Sequence, residues 1–426
     1  MKMIRGIPIV AASAILLTGC ATTAGSPTST ARTSGYVLYA RNAQLGSAPL
    51  DVIDAATGRT ERSLPIGTPS ADWSRIYSLA HGVKRTTLRA IDSKDGKLLV
   101  QISLDGDYVL PLIDAWGLTG GLSPNGQWLV AQSTGLRDRT DFMLVSTGFS
   151  QYPRRISIPG DFSFDAISND GQRLFLIESL AATQPGHYRV RRYDVALGAL
   201  HPQVIVDKRE IQSASMTGTR ISGVFAPDGG WQYSLYVNEK TGPFIHALNL
   251  DQTFAWCIDL PAGGDRMQQM MWSLAIAADG SALYAVNPAL GKVARVDISS
   301  DGPHNEVSKV NSFAPVHPPS QASGFFTDAI AKGVQIGYAA LARDGKTLVA
   351  IADAGTIAIQ LADLKPSKTL INDEGVESVV MANDGAALFA SSWFESTLRQ
   401  IDPISGAATS TQHLKTTYVL YRAERR

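Results

Sequence analysis

Cysteine is nearly absent from this 426-residue chain, with Cys20 and Cys257 the only two. Two cysteines cannot build the disulfide framework on which small secreted domains depend. Net charge is absent as well, 38 Lys+Arg standing against 38 Asp+Glu. Electrostatic binding of nucleic acid needs a basic excess laid against phosphates, so the balance argues against that partner. Charged residues make only 18% of the sequence, below the usual ~25%, which suits a strand-rich chain with much buried surface. The histidines, His81, His187, His201, His246, His304, His317 and His413, include no pair at i, i+2 or i, i+4. Glu306 follows His304 by two positions in a polar stretch, a single pairing that makes no metal motif, although ligands could still converge from segments distant in sequence. No G-x-S-x-G elbow and no G-x-x-x-x-G-K loop occurs, so neither a serine nucleophile of that type nor a phosphate cradle is written locally. The glycines between Gly117 and Leu122 only lead into a turn at Asn125-Gly126. No metal site, no cofactor and no catalytic residue is expected from motifs.

What the chain does have is a repeat. Ala278-Asp279-Gly280-Ser281-Ala282-Leu283-Tyr284-Ala285-Val286 reads as a tight polar turn followed by an alternating strand. The pattern returns at Asn125-Gly126, Asp170-Gly171, Asp344-Gly345 and Asp384-Gly385, each followed by apolar residues. Two degraded copies fit the gaps, Asp228-Gly229 and Asp72-Trp73. The six intervals from Trp73 to Gly385 average about 52 residues, room for four short strands and their turns. A second signature is an apolar strand ending in Asp before a turn: Ile53-Asp54 with Gly58, Ile91-Asp92 with Gly96, Val296-Asp297, and Ile401-Asp402 with Gly406. The aspartates of both signatures are read as turn caps rather than as a binding constellation. Each unit is thus a four-stranded antiparallel meander, and such sheets bury both faces and lose their end blades only by packing around an axis. The expected fold is all-β, a single β-propeller.

Asp-Gly-x-x-Leu-Tyr/Phe followed by Ile-Asp-x-x-x-Gly resembles the YVTN-type and TolB-type (WD40-like) repeats of bacterial propellers. The resemblance covers most of the chain after residue 36. It speaks for fold and hardly for function. No Trp-Asp dipeptide closes the units, and the Asp-box of sialidases is missing.

The first twenty residues are of another kind. Lys2 and Arg5 precede the mostly apolar run Ile7–Leu17, which is too short to span a bilayer, and Leu17-Thr18-Gly19-Cys20 follows. This order resembles the bacterial lipobox, which implies a signal peptide over 1–19, cleavage before Cys20 and lipid attachment on it. Residues 20–35, rich in Thr, Ser, Ala and Gly, read as a flexible tether, and 36–426 as the propeller domain. Acyl chains stabilise a membrane-bound state by about 0.8 kcal/mol per buried CH₂. Ala21 after the cysteine resembles the outer-membrane sorting pattern of two-membrane bacteria.

The first unit has only three strands, Tyr36–Ala40, Val52–Asp54 and Leu64–Gly67. Thr417–Tyr421 at the other end of the chain is a candidate fourth. Seven units plus one shared between the termini make eight blades, with seven the alternative. Polar insertions at Leu136–Asp141, 180–188 and 314–334 are the loops a partner would touch. Counting back from the repeat turns, Asp114, Trp116, Asp165, Trp272 and Glu377 fall on the innermost strands, where carboxylates and indoles could line a ligand funnel for a sugar or peptide. Trp128, Trp231 and Trp393 read as core between blades, and Cys257 in Phe254-Ala255-Trp256-Cys257-Ile258 as a buried thiol.

The reading that follows is a membrane-anchored extracytoplasmic lipoprotein, facing the periplasm or the extracellular side. It would act as a binding or scaffolding module for an envelope protein or glycan. The alternative is a propeller enzyme, a lactonase or hydrolase, with its site at the central channel. A quinoprotein-like propeller is a third possibility, but its repeat is not evident.

Overall fold

Alternation along each repeat strand gives a sheet two apolar faces, and both need covering. The computed structural model describes residues 35–43, 48–112, 119–134, 138–180, 184, 186–206, 215–315, 339–352, 355–372, 375–392 and 395–426. Its strands form eight antiparallel four-stranded sheets, two of them with one short extra strand. Blade 1 consists of Tyr36–Asn42, Leu50–Asp54 and Thr60–Leu64 together with Tyr418–Arg425. The others follow in order: blade 2 (68–105), blade 3 (108–159), blade 4 (162–217), blade 5 (219–259), blade 6 (273–312), blade 7 (339–372) and blade 8 (376–413). The fold is an eight-bladed β-propeller.

The core shows how the ring is held. Consecutive residues of a strand point to opposite faces, and here they enter different inter-blade cores. Leu129 packs with Tyr77 and Leu88 of blade 2, whereas Val130 packs with Leu174 and Leu176 of blade 4. Leu348 joins Tyr284 of blade 6, and Val349 joins Leu388 of blade 8. Phe389 of blade 8 meets Leu38 and Ile53 of blade 1, which closes the circle. Every blade therefore depends on both neighbours for burial.

The turns behave as their sequence requires. The seven residues at the glycine position of the repeat have φ between 58° and 75°. Each donates its N–H to the carbonyl three residues before, at 2.8–3.2 Å. In all seven the preceding Asp or Asn Oδ1 accepts from the N–H two residues on, at 2.8–3.1 Å. Asp92 and Asp402 cap their own turns in the same manner, and Asp54 Oδ1 accepts from the Thr57 N–H three residues on. Asp297 does not: its Oδ1 accepts from Arg295 Nε at 2.6 Å, and the strand Lys292–Ser299 runs past the expected turn.

The C-terminal strand is the fourth strand of blade 1, paired antiparallel to Tyr36–Asn42 from Tyr36↔Arg425 to Asn42↔Tyr418. Two expectations need correction. The third strand of blade 1 is Thr60–Leu64, because Pro65 follows and Gly67 already leads into blade 2. Arg139–Asp141 belong to the strand Arg139–Ser146, where buried Asp141 accepts from Arg155 Nη2 at 2.6 Å. One helical turn, Arg266–Gln269, was not legible beforehand; Asp265 and Gln268 form its capping box. Most of 314–334 lies outside the described residues.

Candidate functional site

The innermost strands of blades 2 to 5 surround a cavity of about 480 Å³. Its walls include Thr68, Thr119, Asp165, Arg220, Ser222 and Gln232. Thr68 Oγ1 lies 2.7 Å from Thr119 Oγ1 and donates to the Gly120 carbonyl at 2.6 Å, joining blade 2 to blade 3. Gln132 Oε1 accepts from Phe164 N–H at 3.0 Å, joining blade 3 to blade 4.

Asp165 is the centre of this arrangement. It is the extra residue of a β-bulge, since Phe164 pairs with Leu176 and Ala166 with Phe175. A bulge re-aims the side chain it carries, and here the carboxylate is fully buried at the seam with blade 5. Arg220 Nη1 stands 3.2 Å from Oδ1, yet neither carboxylate oxygen has an aligned hydrogen bond. The contact is therefore a charge pair rather than a fork. Burial pushes the Asp165 pKa up, and Arg220 opposes that rise. Gln232 Nε2 donates to the Asp165 carbonyl at 3.1 Å. Gln232 Oε1 and Ser222 Oγ, both buried, have no hydrogen-bond partner among the described residues. Buried acceptors left open are costly and mark a place that a donor-bearing ligand or water would fill. Behind the pair, the rings of Tyr188 and Tyr236 stack at 5.8 Å, and burial raises both phenol pKa values so that they keep their protons.

Of the residues singled out from sequence, Asp165 alone is seen lining this cavity. Trp272 is 1% exposed and packs in the core between blades 5 and 6, not in a funnel. Glu377 lies on the inner strand Val376–Met381 at a register shift between Val376 and Ser378. Its side chain, Asp114, Trp116 and Cys20 lie outside the described residues. Arg220, Ser222 and Gln232 were missed. Their signal was available: Arg220 and Ser222 precede the Asp228-Gly229 turn just as Asp165 precedes Asp170-Gly171. Cys257 is half-buried rather than fully buried, its Sγ 3.7 Å from Nδ1 of the fully buried His246 on the adjacent strand.

A second cavity, of about 540 Å³, opens on the outer rim where blade 6 adjoins blade 5. It is formed by Trp256 and the 299–308 segment that follows Lys292–Ser299.

No protein-family model matches the chain, and no curated protein sequence matches it. Among solved structures it is similar to apo AztD from Citrobacter koseri, at 12% identity and TM-score 0.53, covering 91% of this chain and 97% of that one. It is also similar to dihydro-heme d1 dehydrogenase NirN in complex with DHE, at 13% identity and TM-score 0.52, covering 95% and 78%. Identities this low show the propeller fold alone.

Proposed function

We propose that this chain is a membrane-anchored extracytoplasmic binding module, held by lipid on Cys20, whose cavity between blades 2 and 5 seats part of an envelope protein or glycan. The observation that carries this reading is the set of open acceptors, Gln232 Oε1 and Ser222 Oγ, beside the Asp165–Arg220 pair in a preformed cavity of about 480 Å³. That volume lies within the roughly 300–1,000 Å³ of ordinary ligand pockets. The walls present neutral acceptors and one internally compensated charge pair. They suit a neutral ligand rich in O–H or N–H donors, such as sugar hydroxyls or peptide amides. The Lys2-to-Cys20 segment supports a location on a membrane outside the cytoplasm, and the residues after it supply a tether.

The test is crosslinking of the full-length protein in its native membranes, followed by purification. An envelope glycan or protein is expected to co-purify with the wild type and to be lost from Ser222→Val and Gln232→Leu. Cys20→Ser is expected to move the protein from the membrane to the soluble fraction. Absence of any co-purifying envelope component from the wild type would overturn the binding role. Membrane retention of Cys20→Ser would overturn the anchor.

A further inference from the structure

We infer that the outer rim between blades 5 and 6 carries a separate saccharide site, built on Trp256 and the 299–308 segment. The inference does not need the inner cavity to be a ligand seat, although it would give the glycan half of that reading a second point of attachment.

The apolar-Asp signature breaks in blade 6. Asp297 stands where Asp54, Asp92 and Asp402 cap a turn, but it is bound to Arg295 instead. The strand continues to Ser299, and the chain then loops out before Lys309–Ser312 returns to pair with Lys292–Arg295. The loop is fixed along its length. His304 N–H donates to the Asp297 carbonyl at 2.9 Å, and Ser308 N–H to the Arg295 carbonyl at 2.8 Å. Gly302 lies on the buried indole of Trp231 in blade 5, so close that a Cβ there would overlap the ring. Trp231 in turn meets Phe254 edge-on at 5.5 Å, and Phe254 meets Trp256 at 6.1 Å. A chain of aromatic contacts thus sets the half-buried Trp256 beside a loop that is already ordered.

The lining chemistry selects the ligand. Trp256 offers an indole beside exposed Asp301, His304, Glu306 and Ser308 and half-buried Asn305. An indole packs against the C–H face of a pyranose, while short planar side chains accept from and donate to its equatorial hydroxyls. The two carboxylates, with no Lys or Arg among the lining residues, repel phosphates and uronic acids. A simple cation would use the carboxylates but not the donors and acceptors of Asn305 and Ser308, whereas a sugar uses both. The cavity of about 540 Å³ has room for roughly two or three sugar rings by the usual size of ligand pockets. The ligand class is therefore a neutral or amino-sugar oligosaccharide.

Calorimetric titration of the full-length protein in detergent tests this with cellotetraose and chitotetraose as neutral probes, tetragalacturonate as the acidic probe and tetralysine as the cationic one. Saturable binding of at least one neutral tetrasaccharide is expected, with none of tetragalacturonate. Trp256→Ala should weaken that binding about tenfold or more. Because Trp256 also supports the inter-blade core, Asp301→Ala and Glu306→Ala on the exposed loop serve as variants that leave packing alone, and each should weaken binding severalfold. Sugar binding that falls in Ser222→Val but not in the rim variants would belong to the inner cavity and count against the rim site, which keeps failure here distinguishable from failure of the inner site. The inference is overturned if neither neutral tetrasaccharide binds, if binding is unaltered in the three rim variants, or if tetralysine binds while the sugars do not.

Discussion

The backbone N–H of Leu420 donates a 3.1 Å hydrogen bond to Oγ of buried Ser378, fastening the last strand of the chain to the inner strand of blade 8. Ser378 Oγ also lies 2.7 Å from Ser391 Oγ. Removing a hydroxyl that serves a buried N–H costs about 1–3 kcal/mol. Ser378→Ala is expected to lower stability by that amount in urea unfolding. Deleting residues 418–426 should do far more, because it uncovers the edge of Tyr36–Asn42 and one side of the core at Phe389. Size-exclusion chromatography is expected to show aggregate in place of folded monomer.

The Asp165–Arg220 pair gives a pH dependence with a definite sign. The folded pKa of Asp165 is raised, by burial first and against the pull of Arg220. Between the unfolded and folded values the native state therefore holds more protons than the unfolded chain, so stability falls as pH rises through that interval. Asp165→Asn removes this penalty and should be neutral near pH 4 and more stable than the wild type, by about 1 kcal/mol, at pH 8. Arg220→Gln leaves a buried carboxylate without its cation and should cost about 3 kcal/mol at pH 8, and less at pH 4. Paired denaturant titrations at the two pH values measure both.

Several repeat-turn aspartates titrate in the opposite sense. Asp72 is held below the usual carboxylate range by the Ser70 hydroxyl, and Asp279 by the Ser281 N–H. In Asp344 burial pulls upward but hydrogen bonds from the turn outweigh it, and in Asp384 the Ala386 N–H, the Tyr36 hydroxyl and Arg425 together do the same. A depressed folded pKa contributes stability above the unfolded value that is lost as pH falls through the folded one. The melting temperature should therefore drop as pH is taken from about 5 to 3. An Asp344→Asn variant should show a shallower drop.

How much of this was legible follows from how local each feature is. The turn around Gly280 is complete within a few residues, so its sequence and its φ of 73° agree. The eighth blade was legible because Tyr36–Ala40 lacked a neighbour and Thr417–Tyr421 lacked a unit. The Asp165–Arg220 contact was not. It joins residues on successive blades and depends on a bulge after Phe164, which no alternation pattern announces. Counting back from the turn reached Asp165 but equally reached Trp272, because depth in a blade depends on which face a residue takes. Asp297 shows the reverse fault: the apolar-Asp pattern is present, yet the Gly that would close the turn is missing, and the strand runs on.

Gly302 is the hinge of the rim loop. Its φ is 112°, outside what side chains adopt readily, and an added Cβ would sit against the Trp231 ring. Gly302→Ala should cost about 1–3 kcal/mol and displace the 299–308 segment. Nuclear magnetic resonance of the tryptophan indole N–H signals should show Trp231 and Trp256 shifted together.

Trp73 poses the question of which effect wins. It takes the glycine position of the first repeat at φ 58°, a conformation that costs a non-glycine residue roughly 1–2 kcal/mol. Glycine there would relieve that cost. It would also remove the ring contact with Tyr39, whose centroid is 5.2 Å away, and uncover the core between blades 1 and 2. The aromatic pairing contributes about 0.5–1.5 kcal/mol. Partial burial of the indole against that core contributes about 1–2 kcal/mol more, against the roughly 1.5–3 kcal/mol of a fully buried side chain. Packing therefore exceeds backbone relief, and Trp73→Gly should be destabilised by about 1–2 kcal/mol in urea unfolding, despite restoring the glycine that the repeat carries at all six of its other turns. A stabilised variant would mean that the left-handed backbone, not the indole, dominates at this turn.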